Sequence, residues 1–282
     1  MSVAPEVWRA REASHVERAD ALASAHVLRR SRGEKHPVED FLWEYYALRP
    51  ATLRRWHPGA GVALAKAEER AGWRFHRRVD GGVELDVAAY LEARGSAVRR
   101  MRDLLAATAS RPAQWGCFGL HEWAMVYRAD SVRHALPLRL GAAGTNAVIE
   151  ALQLRCTHYD AFRFFTPDAV PRNAGVPTRE GQVATEQPGC LHATMDCLKW
   201  CLKLGPGVPG EVLLDAFELA LAARVLDMRA SPYDVSGLGY AAIPVETPEG
   251  RAAYVREQRG IAERGAAMRE RLGAVCDALL AG

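Results

Sequence analysis

Residues 5–31 read PEVWRAREASHVERADALASAHVLRRS. The stretch is rich in Ala, Glu and Arg and carries no Pro or Gly after Pro5, so it predicts one long helix ending near Gly33. Pro37 then suits the first position of a second helix, with Val38, Phe41, Leu42, Tyr45 and Leu48 as its apolar residues. Pro50 interrupts that pattern, and a short helix carries Arg54, Arg55 and Trp56 to the turn His57-Pro58-Gly59. Residues 73–87 break with the helical period. Phe75 and Val79 precede Asp80-Gly81-Gly82, and Val83, Leu85 and Val87 follow with period two, as in a β-hairpin. A helix capped by Asp86 follows, to Thr108.

Beyond it the pattern stays helical. Residues 117–127 are almost wholly apolar, Gly144-Thr145 opens a short helix, and residues 153–165 read as a strand or extended segment. Residues 166–187 form a long proline-bearing loop, of the kind that often serves as a lid or binding loop. Helices are expected from Pro188 to Leu204 and from Pro209 to Met228, with an irregular segment at 230–247. A last helix places Met268, Leu272, Val275 and Leu279 on one stripe. The fold expected is mainly α: a compact helical domain with one small β-hairpin near 73–87. It is read as a single domain, 1–282, in which a helical part (1–110) packs on a functional core (111–282).

Composition narrows the function. Apolar residues make up 49% and charged residues 25%, which fits a globular protein and argues against disorder outside the ends. A net charge of +3 is far too weak for a strong nucleic-acid footprint, although it permits contact. The opening Met1-Ser2-Val3-Ala4-Pro5-Glu6 lacks the basic and apolar regions of a secretory signal. No apolar run approaches the roughly 20 residues that cross a bilayer. A cytoplasmic protein without membrane contact is expected. The six cysteines form no CxxC pair and read as thiols. Cys197 and Cys201, with Cys190 two turns before them, have zinc-ligand spacing but read better as small core residues. No GxGxxG opening a helix, GxxxxGK[ST], GxSxG, HExxH or EF-hand loop is present, which argues against dinucleotide binding, nucleotide hydrolysis and elbow-serine hydrolysis.

The residues that remain for chemistry lie within 115–234. His121-Glu122 sits in an apolar segment, where a carboxylate is costly unless it is paired, protonated or bound to a metal. The bland reading is a salt bridge to Arg128, Arg133 or Arg163. Glu218 sits in Ala216-Phe217-Glu218-Leu219-Ala220-Leu221-Ala222-Ala223, with no other charge, and is expected to meet Glu122 at one centre. The alternative is an ion pair with Arg224 or Arg229. His158-Tyr159-Asp160 at a strand end would place two ligands on one side, and some non-haem iron sites use two histidines and a carboxylate. His192 and Asp196 are one helical turn apart and would share a metal, but Lys199 and Lys203 continue their stripe as a solvated face would. In Asp227-Met228-Arg229-Ala230-Ser231-Pro232-Tyr233-Asp234, Asp227 and Asp234 suit acid–base roles, Arg229 an anion and Tyr233 a stacked ring. Asp227 and Arg229 would otherwise tie down a helix end. Basic and aromatic residues alternate at Arg54-Arg55-Trp56-His57 and at Trp73-Arg74-Phe75-His76-Arg77-Arg78. That mixture suits phosphates and stacked bases, and also a plain solvated surface.

Six stretches resemble an actinobacterial family identified as 3-methyladenine DNA glycosylases. They are His36-Pro37-Val38-Glu39-Asp40-Phe41, Leu53-Arg54-Arg55-Trp56-His57-Pro58-Gly59, Gly119-Leu120-His121-Glu122-Trp123-Ala124, Thr157-His158-Tyr159-Asp160-Ala161-Phe162-Arg163-Phe164-Phe165, Glu186-Gln187-Pro188-Gly189-Cys190-Leu191-His192, and Leu226-Asp227-Met228-Arg229-Ala230-Ser231-Pro232-Tyr233-Asp234. The resemblance implies a hydrolase of the DNA-repair type that flips an alkylated purine out of DNA and cleaves its N-glycosidic bond. Glu122 or Glu218 would stabilise the oxocarbenium-like sugar or orient water. Asp227, Tyr233 and Asp234 complete the catalytic candidates, and Arg54, Arg55, Trp56, Arg163 and Arg229 would hold the substrate. The alternative is a metal-dependent oxidoreductase acting on a small molecule, with iron or zinc held by His121, His158, Asp160 and His192. A non-catalytic binding module would instead close these groups into salt bridges.

Overall fold

The long N-terminal helix forms where the sequence places it: α1 spans Pro5–Ser31, with Pro5 in the first turn and Arg29 and Arg30 in the last. The computed structural model describes residues 2–132 and 134–282. Among them eleven α-helices and one small sheet of four strands leave the chain 58% helical, so it is mainly α with a small β element. Among the described residues no helix is long and apolar enough to cross a membrane. Two compact units emerge from the contacts: Met1–Ala106 with Cys197–Glu218 and Ala267–Gly282, and Ala107–Asp196 with Leu219–Ala266.

The first unit contains β1 (Ser2–Val3), α1, α2 (Phe41–Tyr45), α3 (Pro50–Arg54), β2 (Ala63–Leu64), β3 (His76–Val79), β4 (Gly82–Leu85) and most of α4 (Val87–Ala109). The expected hairpin is β3–β4, antiparallel, with His76 opposite Leu85 and Val79 opposite Gly82. It is widened by two strands of two residues each, giving the order β1-β2-β4-β3. Gly82 (φ 146°) is required there, because a Cβ would lie 2.1 Å from the Leu64 carbonyl oxygen. Trp8, Trp56, Leu64, Ala67 and Val83 form a buried cluster over the sheet. Within it Arg70, 2% exposed, lies over the rings of Trp8, Trp56 and Trp73 and reaches Glu12 at 2.6 Å.

The second unit contains α5 (Leu120–Ala124), α6 (Gly141–Ala151), α7 (Tyr159–Phe162) and α8 (Gln182–Thr185). It also holds the beginning of α9 (Leu191–Leu204), the end of α10 (Gly210–Ala230) and the first half of α11 (Pro248–Leu280). Residues 119–127 are buried throughout, but only the first half of that segment is helical. The stretch read as a strand, 153–165, differs: His158 caps α7 by accepting the Ala161 N–H, and only Leu154 makes a single parallel bridge, to Asn173. The helix expected from Pro37 begins at Phe41, because Asp40 folds back to accept the His36 N–H at 2.8 Å.

Candidate metal centre

In the second unit, α5 and α10 face each other through charged side chains. His121 and Glu122 are consecutive on α5 and therefore point about 100° apart; Arg224 and Asp227 lie three residues apart on α10 and share a face. Glu122 Oε1 accepts from Arg224 Nη1 at 2.7 Å, and the same nitrogen reaches Asp227 Oδ2 at 3.2 Å. Arg224 Nη2 lies 3.3 Å from His134 Nε2, and the His134 ring meets Tyr233 edge-on at 5.0 Å between centroids. Asp227 is fully buried and His121 nearly so.

The contact between those two has an unusual form. His121 Nε2 and Asp227 Oδ1 are 2.7 Å apart, yet neither atom has a hydrogen-bond partner among the described residues. His192, on α9, brings its ring to 4.4 Å from that of His121, edge to face. One ligand atom each from His121, His192 and Asp227 lies within 4.8 Å of the others. With metal–ligand bonds of about 2.0–2.2 Å, neighbouring ligands of one ion lie about 3 Å apart, so the three would draw closer together to hold one. The surroundings fit such an ion. The second carboxylate oxygen of Asp227 is held by Arg224, leaving Oδ1 free to bind alone, and His121 Nδ1 rests 3.6 Å from Cys117 Sγ. Partners of this kind orient ligands around a metal.

Charge divides the three: without an ion His121 pairs with Asp227 as a cation, while His192 stays neutral, and a metal would have to displace the His121 proton. Burial works against a charged His121, but Asp227 overrides it and raises its pKa well above the usual value. Burial, reinforced by His121, pushes His192 far down and leaves it a neutral imidazole. Burial raises the pKa of Glu122, and Arg224, His121 and His134 outweigh it, so that it falls to about 2.

A second group lies beside the first. His158 Nε2 is 3.3 Å from Asp196 Oδ2 and 3.4 Å from Glu186 Oε1, with all three residues buried. The His158 ring stacks on His192 at 5.4 Å. Its ligand atoms also lie within 4.8 Å of one another, but its tautomer argues differently. His158 Nδ1 accepts the Ala161 N–H, so the proton of the neutral ring sits on Nε2, between the two carboxylates. The group fits a hydrogen-bonded imidazole better than a metal ligand.

The other expected residues are placed as follows. Glu218 is not embedded: its side chain is 41% exposed and lies 2.9 Å from Arg18. Glu211, Asp215 and Glu218 form one helical stripe, engaged by Arg11 and Arg18 of α1. The shared centre of Glu122 and Glu218 is thus corrected, each carboxylate having its own arginine. Asp160 also departs from the expected metal set. In a helix it does not share a face with His158 as it would in a strand, and it meets Arg163 at 3.4 Å and Arg179 at 3.9 Å. Trp56 is core, 1% exposed. Arg54 pairs with Asp20, and Arg229 with Glu257. Arg55 lies over the Trp73 ring at 5.4 Å. Asp234 accepts the Ser236 N–H at 2.9 Å and closes a turn. Tyr233 is buried against His134, one residue removed from the arginine. Of the partners considered for Glu122, Arg128 binds Glu150 and Asp168, and Arg163 is with Asp160; Arg133 lies outside the described residues. Cys197 and Cys201 are buried core thiols.

The sequence places Asp196 either on a metal shared with His192 or on a solvated stripe, and it assigns no role to Glu186 or His134; Asp196 is buried and meets His158 instead. The lysines that continue the Asp196 stripe, Lys199 and Lys203, lie against Trp200. His134 lies in an irregular segment and reaches Arg224 of α10, a contact with no periodic signal. No protein-family model, curated protein or solved structure matches the chain.

Proposed function

We propose that the chain is a metal-dependent enzyme acting on a small molecule, with one ion held by His121, His192 and Asp227. The observation that carries this reading is the convergence of His121, His192 and Asp227, which offer one ligand atom each within 4.8 Å of one another in a buried setting, beside a neutral His192. Two histidines and one carboxylate with open positions are the donor set of non-haem iron(II) sites, whose ion supplies redox chemistry with dioxygen when bound. The chain's own residues do the positioning. Arg224 fixes Asp227, Glu122 fixes Arg224, and the His158 ring, held by Glu186 and Asp196, stacks on His192.

A second reading has a specific observation in its favour. With His121 protonated, two carboxylates (Glu122, Asp227) face two cations (His121, Arg224), and the network closes at zero charge with no metal. The glycosidase expectation has the resemblance behind it, but the carboxylate it needs beside an open pocket is held by Arg224.

The test is elemental analysis of protein purified without chelator, then loaded anaerobically with iron(II). About one ion per chain is expected, lost in His121→Ala, His192→Ala and Asp227→Asn but retained in Asp160→Asn. Wild-type protein that holds no more metal than His121→Ala overturns the metal reading and leaves the closed ion network. Release of 3-methyladenine from methylated DNA by metal-free protein would restore the glycosidase.

A further inference from the structure

Several arginines of the first unit are neutralised in place. Arg11, Arg18, Arg29, Arg54, Arg70, Arg77, Arg78 and Arg271 each hold a carboxylate. Arg49 and Arg55 hold none among the described residues, and both line one cavity of about 330 Å³. Thr52 and His57 stand beside them, and Leu202 and Leu213 supply an apolar wall. That volume is at the lower end of the roughly 300–1,000 Å³ of small-molecule sites.

The polar groups are set in place from behind. Arg55 lies over Trp73, whose ring His57 also meets edge-on at 5.6 Å. Trp73 in turn is covered by the buried Arg70. A guanidinium laid on an aromatic face keeps its N–H edge free to donate. His57 Nδ1 is shielded from solvent and has no hydrogen-bond partner among the described residues. Burial, and the neighbouring His76, Arg70 and Arg55, push its pKa down to about 3, so it meets a ligand as a neutral imidazole.

We propose that this cavity binds a small organic phosphomonoester, its phosphate between Arg49 and Arg55 and its apolar body against Leu202 and Leu213. A phosphomonoester carries a charge of about −1.5 to −2 and three strong acceptor oxygens, which matches two unneutralised guanidinium groups with a hydroxyl beside them. A carboxylate would leave one arginine uncompensated. A nucleic-acid strand carries the same phosphate, but the cavity has room for one small body and not for a run of nucleotides.

The experiment is calorimetric titration of the full-length chain in the presence of chelator, so that the outcome does not depend on the metal centre. Phenyl phosphate, inorganic phosphate, benzoate and a short single-stranded oligonucleotide are the probes. Phenyl phosphate is expected to bind one site saturably, tighter than inorganic phosphate, which lacks the apolar body, and tighter than benzoate, which lacks the second charge. Arg49→Gln and Arg55→Gln should each weaken it about tenfold or more, the loss of one charge-assisted hydrogen bond. Arg54→Gln, which breaks only the pair with Asp20, should leave it unchanged. Both cavity arginines are exposed, so an unchanged circular-dichroism melt is expected of each variant. Absence of saturable phenyl phosphate binding to wild-type protein overturns the proposal. So does undiminished binding in the Arg49→Gln/Arg55→Gln double variant, benzoate binding as tightly, or an oligonucleotide binding where phenyl phosphate does not.

Discussion

Glu122 and Glu218 sit in equally apolar stretches of sequence and have opposite fates. Glu122 is 5% exposed and locked to Arg224, itself 1% exposed. Glu218 has a side chain 41% exposed and meets Arg18, a surface arginine. What separates them is the residue one turn away. On α10, Glu211, Asp215 and Glu218 repeat at helical spacing, so Glu218 belongs to an acidic edge that α1 matches with Arg11 and Arg18. Glu122 has no such stripe, being one residue in a five-residue helix buried on every side. A charge inside an apolar run is therefore ambiguous until its neighbours at i±3 and i±4 have been read.

The largest consequence concerns Arg224. Arg224→Met removes the cation that both Glu122 and Asp227 face, leaving buried carboxylates uncompensated. Breaking a buried pair in this way costs about 3–5 kcal/mol, and denaturant unfolding should show a loss of that size. Loss below about 1 kcal/mol, the range of surface pairs, would erase the distinction between the two glutamates.

Acid should act on the same contrast. The pKa of Glu122 falls to about 2 in the folded chain from an ordinary 4.5. Because the folded value is the lower one, its contribution to stability is fully present above about pH 4.5 and is lost as pH falls through about 2. A shift of that size corresponds to about 3 kcal/mol as an order of magnitude. Stability followed from pH 5 to pH 2 should fall steeply in the wild-type chain, and Glu122→Gln should flatten that part of the curve while lowering stability at neutral pH. Wild-type and Glu122→Gln curves running parallel between pH 5 and pH 2 would show that Arg224 does not hold Glu122 ionised.

The same lesson explains what was legible. α1 and the β3–β4 hairpin were readable because their signals are local: an unbroken helix-forming run, and period two around Asp80-Gly81. β1 and β2 were not, since strands of two residues exist only through pairing with a distant segment. α7 was missed because its cap is a histidine, outside the Ser, Thr, Asp and Asn that mark helix starts. In the site, His121 is legible as a polar group in an apolar segment, His192 by its helical spacing to Asp196, and Asp227 by its place at the end of an apolar helix. The sequence offers Arg224 or Arg229 as an ion-pair partner for Glu218, but residues six apart on a helix point about 120° apart; the partner of Arg224 within the helix is Asp227, at i+3. Glu186 comes from a loop, where no period reveals which side chains turn inward.

The smallest effect expected is at Glu218, and it is the most discriminating. Glu218→Gln leaves Arg18 with Asp215, at 2.7 Å, so no cation is stranded. Both side chains keep substantial contact with water, and exposed pairs contribute about 0–1 kcal/mol. The loss should lie in that range and shrink further in 1 M salt, where the screening length is about 3 Å. The cost of Glu122→Gln should persist under the same salt, because ions do not enter the space between α5 and α10. A double-mutant cycle of Glu218→Gln with Arg18→Gln, set against one of Glu122→Gln with Arg224→Met, measures both couplings on one scale. A Glu218–Arg18 coupling that equals the buried one and resists salt would mean that α10 buries both glutamates alike, and the reading of Glu218 as part of a solvated stripe would have to be withdrawn.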